Sequence, residues 1–326
     1  MSWLVTGAAG YIGAHVVARL HAAGEAVVGL DNLSTGYAER LPAGVPLVRA
    51  DVSDATALRA TLVGHGVTGV MHLAGVKSAP ESTRLPMYYY RQNVGAVAVL
   101  LEAMTDTGVA RLVFSSSAAV YGSPRTTTVT EESSAHPVNP YGQSKLAAEQ
   151  LIGAAALAYG LSWTALRYFN AVGAHSPLLA DRGTANLLPL AFHAVRTGEP
   201  LTVAGRHFAT PDGTGVRDFV HVSDIAEAHH RVGQSGLSGV YNVGTGRGYS
   251  VLDVLAAVEV VTGLPVPHRF GPARPGDPGA VVADAGKLRR ELGWQPAHTL
   301  LEAVASAAPA DLRARHAAGT APALPG

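Results

Sequence analysis

Through the first half of the chain, short apolar runs alternate with longer mixed stretches. The runs 3–6, 26–30, 46–49, 69–74, 111–116 and 162–168 are almost continuously apolar. A strand with one wet face would alternate polar and apolar positions. Continuous runs fit strands buried on both faces of a parallel sheet. The stretches 13–23, 93–107 and 141–158 lie between them and read as helices. The sum is a βαβ series, which predicts an α/β fold with a doubly wound parallel sheet and right-handed crossovers.

Beyond Asn170 the texture changes. Pro and Gly become frequent, and long polar connections appear at 174–185 and 204–217. Short elements near 219–222 and 240–243 are placed to return to the sheet edge, and Ser250-Val-Leu-Asp253 has the form of a capping box opening another helix. The expected division is a dinucleotide-binding domain over 1–171 and a smaller α/β substrate-binding lobe over 172–326. The Ala/Pro-rich end, 305–326, is expected to fray.

Composition narrows the function classes. With 326 residues, 48% hydrophobic and 15% charged, the chain is globular and long enough for two lobes. Lys+Arg and Asp+Glu balance at 24 each, so no global field points to nucleic acid or to an anionic membrane. The absence of cysteine excludes disulfides, thiolate catalysis and Cys-based zinc sites. The opening MSWLVTG lacks the charged and apolar regions of a secretory signal, and no apolar run approaches the ~20 residues of a membrane span. A cytoplasmic protein is expected.

Gly7-Ala-Ala-Gly10-Tyr-Ile-Gly13 follows the first strand and opens a helix. Glycines there permit a tight turn and let backbone N–H groups approach a pyrophosphate at the helix N-terminus. The GxxGxxG spacing differs from the commoner GxGxxG, so context has to carry the reading. Asp31 closes the second strand, 18 residues after Gly13, where a carboxylate accepts hydrogen bonds from the adenosine ribose and repels a 2′-phosphate. Asp51-Val52 follows the third strand, in place for the adenine edge. Together these predict a Rossmann sheet that holds NAD in preference to NADP.

Asn139 is a good N-cap and Pro140 suits the first helical turn, so Tyr141 and Lys145 stand at i and i+4 on one helix face. Tyr is a feeble base at pH 7. A neighbouring ammonium and a cationic nicotinamide ring favour its phenolate, giving a base suited to a sugar hydroxyl. Ser117 ends a strand 24 residues upstream, where ligands bind in such sheets.

In these segments the chain resembles the extended branch of the short-chain dehydrogenase/reductase superfamily, and more narrowly the UDP-glucose (UDP-galactose) 4-epimerases. The likeness covers about 2–304 and includes VTGAAGYIGAH, LDNLSTG, HLAGVKSAPES, FSSSAAVYG, NPYGQSKLAAEQ, LRYFNAVGAH, PDGTGVRDFVHVSDIAEAH, YNVGTGRGYSVLDV and RPGDP. The resemblance implies catalytic Ser117, Tyr141 and Lys145, with Tyr141 as base and Lys145 on the nicotinamide ribose. It implies tightly held NAD lined by Gly7, Gly10, Tyr11, Ile12, Gly13, Asp31, Asn32, Asp51, Val52, Leu73, Ala74, Gly75, Lys77, Asn93, Ser115, Tyr141, Lys145 and Tyr168. For a UDP-hexose it implies Lys77, Ser117, Ala118, Ala119, Tyr141, Asn170, Asn186, Leu187, Val203, Ala204, Arg217, Arg274 and Asp277. The two arginines would neutralise the diphosphate. A homodimer through the helices 93–107 and 141–158 is implied as well.

Three positions depart from the family pattern. Ala119 stands where a threonine is common, Ala204 where an aromatic packs on uracil, and Val281 where a tyrosine is common. Ala119 and Val281 leave open a UDP-GlcNAc or UDP-glucuronate 4-epimerase, and Ala204 bears on how the base is packed. A nucleotide-sugar 4,6-dehydratase is disfavoured, because Ala118-Ala119 replaces the acid/base pair that elimination needs. A non-catalytic dinucleotide sensor could have discarded Ser117, Tyr141 and Lys145, all of which remain. Fourteen histidines suggest a metal, yet no HExxH or regular carboxylate set accompanies them, and His229-His230 reads as structural or surface. Tyr88-Tyr-Tyr90 has no basic cluster beside it and reads as core or subunit contact.

Overall fold

The computed structural model describes residues 1–274 and 276–313. A seven-stranded, all-parallel sheet forms its centre. Its strands are β1 (Ser2–Thr6), β2 (Ala26–Asp31), β3 (Leu47–Arg49), β4 (Gly69–His72), β5 (Arg111–Ser117), β7 (Ser162–Tyr168) and β11 (Gly239–Val243). The spatial order is β11-β7-β5-β4-β1-β2-β3. From β1 the chain winds outward through β2 and β3, then returns to β4 on the other side. The order therefore reverses between β1 and β4, and ligands bind outside the carboxyl ends of strands at such a point.

Both faces are covered. One carries the helices Ala55–Gly64, Ala96–Thr107 and Pro140–Tyr159, which bury Leu58, Leu100 and Ile152 among others. The other carries Tyr11–Ala22, Val222–Ser235 and Gly286–Leu292, packed through Val16, Ile225 and Leu288 onto Trp3 and Met71. Burial on both sides is why the strand sequences lack alternation.

A second sheet stands beside the first in the order β12-β10-β14-β6, with β8 also pairing β10. These strands are β6 (Thr128–Val129), β8 (Asn170–Val172), β10 (Val216–His221), β12 (Gly248–Ser250) and β14 (Ala280–Ala283). The pair β9 (Leu201–Ala204) and β13 (His268–Gly271) is separate. The helices Leu187–Thr197, Val251–Thr262 and Leu300–Ala307 enclose a third core around Phe192, Val258 and Val304. Of the two short elements expected to rejoin the main sheet, 240–243 does so as part of β11, whereas 219–221 belong to β10 in the second sheet and Val222 opens a helix.

Element ends shift for local reasons. β3 begins at Leu47 because Pro46 has no N–H to pair. β4 stops at His72, ahead of Gly75 at φ +150. The helix expected from 93 starts at Ala96, after a π turn over Arg91–Gly95. The Ser250–Asp253 capping box is formed in both directions. Of the tail expected to fray, 305–307 complete the helix Leu300–Ala307 and Ala310–Arg313 form a turn, while 314–326 lie outside the described residues.

Candidate active site

The glycine turn leaves β1 at the reversal point. Gly7 has φ +67, and a Cβ there would press on the Ala74 backbone at 2.7 Å, the chain leaving β4. A Cβ on Gly13 would overlap the Gly7 carbonyl oxygen. Gly10 caps the helix without any side-chain bond, so the first helical N–H groups are open toward the turn. Asp31 Oδ2 accepts from Ala9 N at 2.9 Å and Oδ1 from Leu33 N at 2.8 Å. These bonds fix a buried carboxylate against the turn while leaving lone pairs for a ribose. Residues and cradle fit a dinucleotide.

The other expected cofactor residues gather around this point. Asn32 donates to Asp51 at 2.8 Å, and Ser53 bonds hold the Asp51 carboxyl below its usual range. Val52 is buried and Ile12 half-buried. Leu73 and Ala74 are half-buried, while Gly75 and Lys77 are exposed. Asn93 is buried in the π turn, and its amide is spent on Val76 N and O and on Ser144 Oγ at 2.9–3.0 Å. It shapes the loop bearing Gly75 and Lys77. Tyr11 donates to the Gly173 carbonyl at 2.6 Å, joining the turn to the second lobe.

The helix expected to carry the catalytic pair begins as its sequence dictates. Asn139 Oδ1 accepts from Gly142 N at 2.9 Å, and Pro140 occupies the first turn. Tyr141 and Lys145 then project toward the carboxyl end of β5, where Ser117 lies. The Tyr141 ring meets the edge of Tyr89 at 6.4 Å, and Tyr89 donates to Glu81 at 2.8 Å. Burial raises the Tyr141 phenol above its ordinary value, and the Ser117 hydroxyl opposes that rise. Lys145 donates to the Ser115 carbonyl at 2.9 Å and sits over the Phe114 ring at 4.9 Å. Burial lowers it to about 8, partly offset by Glu149. A Cβ on Gly75 would stand 3.8 Å from Lys145 Nζ, so the expected cofactor cradle and the helix of Tyr141 and Lys145 share one wall.

Sequence patterns did not reveal what supports this wall. Glu149, one turn beyond Lys145, accepts from Arg167 Nε at 2.9 Å and from the Ser116 hydroxyl. His229 Nδ1 faces the Ile225 carbonyl at 2.9 Å and must donate to it, so Nε2 accepts from Ser115 Oγ at 3.2 Å. Of the pair read as structural or surface, His229 is wholly buried behind the site. Tyr168, its phenol raised by burial, lies 6.1 Å from the His229 ring. Of Tyr88-Tyr-Tyr90, Tyr89 is buried and its neighbours are exposed.

The substrate-side residues are only partly assembled. Ala118 and Ala119 follow Ser117, whose Oγ accepts from Ala119 N at 3.1 Å. Asn170 is exposed at the start of β8. Asn186 precedes Leu187 at a helix start and donates to Asp181 at 2.5 Å. Arg217 is paired with Asp277 at 2.8 Å, and Arg274 is exposed on the neighbouring loop. Ala204 is half-buried, but Val203 points into the second lobe's core and Val281 into a cluster with Val120 and Phe169. Alternation along β9 sends Val203 inward, whereas β14 is buried along its length and Val281 packs on the face shared with Ala283.

Four buried histidines carry an acid-stability consequence. Burial lowers His15 and His229 to about 4, and His72 and His221 to about 3. The unfolded chain, with His near 6.5, then binds more protons than the folded one between about pH 6.5 and 4. Stability is present above pH 6.5 and falls as pH drops through that window. Urea unfolding at pH 7.5, 6 and 5 is expected to show a progressive loss, and a flat profile would contradict it.

A dinucleotide cradle joined to a Ser-Tyr-Lys set defines a nicotinamide-dependent enzyme of the short-chain dehydrogenase kind. The sequence matches the NAD dependent epimerase/dehydratase family over residues 3–244. A UDP-glucose 4-epimerase of Azospirillum brasilense is 43% identical over 317 residues, 94% of this chain and 90% of its own. The Stenotrophomonas maltophila UDP-glucose 4-epimerase, solved with NAD and formylated UDP-arabinopyranose, superposes with a TM-score of 0.90. It is 39% identical, and the match covers 94% and 96% of the two chains. The Bifidobacterium longum enzyme with NAD⁺ and UDP gives 0.90 at 38% identity, over 94% and 97%. The chain belongs to the NAD dependent epimerase/dehydratase family.

Proposed function

We propose that the protein is a UDP-glucose 4-epimerase, inverting C4 of a UDP-hexose through a 4-keto sugar. The observation that carries this is the shared wall: Lys145 Nζ beside Gly75, with Tyr141 and Ser117 at the same strand end. When bound, NAD supplies a reversible acceptor for the C4 hydrogen. Tyr141 takes the proton from the C4 hydroxyl and later returns it, and Ser117 orients that oxygen by hydrogen bonding. Lys145 places its charge near the Tyr141 oxygen and the nicotinamide ribose, favouring the phenolate. Arg217, held by Asp277, and Arg274 anchor the diphosphate so that the freed keto sugar turns over while its nucleotide stays in place. Residues 1–171 form the NAD-binding domain and 172–326 mainly the UDP-sugar-binding lobe, apart from β11, which completes the main sheet. Such an enzyme works where UDP-sugars and NAD are made, in the cytoplasm.

Incubation with UDP-galactose, followed by chromatography of the nucleotide sugars, tests the reading. Formation of UDP-glucose supports it; conversion of UDP-GlcNAc alone would move the assignment to the rival substrate that Ala119 leaves open.

The enzyme is read as a homodimer. The helices Ala96–Thr107 and Pro140–Tyr159 enclose a groove in which Ala98, Leu101, Leu151, Ala155 and Tyr159 are rimmed by Glu102, Thr105 and Asp106, and a second copy of the same pair is proposed to cover it. Among the described residues no helix is long and apolar enough to cross a membrane. Ala98→Glu, half-buried in the groove lining, is expected to convert a dimer to a monomer in sedimentation velocity. A dimer that persists would place the interface elsewhere.

A further inference from the structure

The segment from Gly173 to Arg182 leaves β8 and leads to Asn186, at the start of the helix Leu187–Thr197. It lies across the cofactor half and is fastened there at four points. Tyr11 donates to Gly173 O at 2.6 Å, and His175 N donates to His15 Nε2 at 3.0 Å. Arg40 Nη2 donates to Ala180 O at 2.7 Å, and Arg182 pairs with Glu39 at 3.2 Å. Arg40 and Arg182 also both stand over the Tyr37 ring, at 5.0 and 4.7 Å from its centre. Tyr37 belongs to the loop that follows Asp31, and its N–H donates to Ala9 O in the glycine turn at 3.0 Å.

Arg40 is unusual as a structural residue. It is 4% exposed, and its Nε has no hydrogen-bond partner among the described residues. A buried guanidinium with an idle donor is costly, and an apolar side chain would pack there at lower cost. What Arg40 gains is reach: one side chain touches the Tyr37 ring and the Ala180 carbonyl, on opposite sides of the junction. The exposed Arg182–Glu39 pair contributes little by itself. Over the ring, Arg182 completes a contact that responds to the position of its own segment. Asp181, next in the chain, accepts from Asn186 Nδ2 at 2.5 Å and from Gly183 N at 2.9 Å, so the start of the substrate-side helix bears directly on this contact.

We propose that Tyr37, Arg40 and Arg182 form a clasp that closes the 173–182 segment over the adenosine side of the NAD site, tying cofactor retention to occupancy of the UDP site. This rests on the NAD and UDP-sugar reading given above. The three are positioning residues: they hold the loop after Asp31 against the glycine turn, and substrate settling at 181–186 tightens that hold. Linkage requires the coupling to be reciprocal, so UDP slows loss of NAD and NAD strengthens binding of UDP.

The test uses the full-length holoprotein and measures NAD appearing in a filtrate over time, with and without UDP. Wild-type protein is expected to release NAD several-fold more slowly when UDP is present. Arg182→Ala is expected to release it about tenfold faster in the presence of UDP, with the UDP effect reduced to near unity. Arg182→Lys, which keeps a cation over the ring, is expected to restore part of the effect. Three results overturn the clasp: wild-type release indifferent to UDP, Arg182→Ala release identical to wild type, or release accelerated equally with and without UDP. A wild-type protein that retains no NAD overturns the cofactor reading itself, and the clasp with it.

Discussion

Tyr141→Phe is expected to slow interconversion of UDP-glucose and UDP-galactose by about 10³-fold or more while the protein keeps its NAD. The phenyl ring preserves the edge contact with Tyr89, so the pocket keeps its shape and only the hydroxyl is lost. General acid–base groups contribute about 10²–10⁴-fold, and in the proposed mechanism Tyr141 serves in both half-reactions. A loss of 10³ corresponds to about 4 kcal/mol of transition-state stabilisation. Ser117→Ala removes an orienting bond and is expected to cost less. Initial rates from UDP-galactose, with NAD content measured alongside, decide the matter. Near-normal turnover in Tyr141→Phe would remove Tyr141 as the base.

Glu149→Leu is expected to destabilise the fold by about 3–5 kcal/mol, because it leaves the buried Arg167 charge unpaired. Both side chains of the pair are nearly inaccessible, at 4% for Glu149 and 7% for Arg167. Burial works against the Arg167 charge, and the bonds from Glu149 override it, pushing its pKa above the usual arginine range. The network continues from Arg167 to Tyr121 at 3.2 Å, and from Tyr121 to Asn242 at 2.7 Å, linking β7, β11 and the turn that follows β5 beneath the candidate site. Removing both charges together, as Glu149→Leu with Arg167→Met, is expected to recover much of the stability, since no uncompensated charge remains. Urea unfolding of the two variants measures the difference. A single variant within 1 kcal/mol of wild type, on the order of an exposed pair, would mean that water reaches this site.

Features set by neighbours in the chain were legible before any fold was known. Asn139 and Pro140 start a helix, so Tyr141 and Lys145 fall on one face at i and i+4 whatever surrounds them. The glycine turn needs small residues at fixed offsets because backbone approaches backbone there, and an added Cβ at Gly13 meets the Gly7 carbonyl. Ser250 and Asp253 cap each other across three residues. Continuous apolar runs announced strands buried on both faces, and with them the parallel sheet.

Tertiary structure alone decided what those features rest on. Glu149 and Arg167 belong to a helix and the following strand, and only packing makes one the buried partner of the other. His229 comes more than a hundred residues after Ser115, and no spacing rule connects them. The same holds for Arg40 and Ala180, 140 residues apart. Val203 was expected on the nucleotide side of the substrate, but alternation along β9 turns it into the second lobe's core, and Val281, where a tyrosine is common, packs with Val120 and Phe169. Local sequence determined which groups exist and which way their own element presents them. Which buried charge, ring or carbonyl each then meets depends on contacts between distant segments, whose energies no short stretch of chain contains.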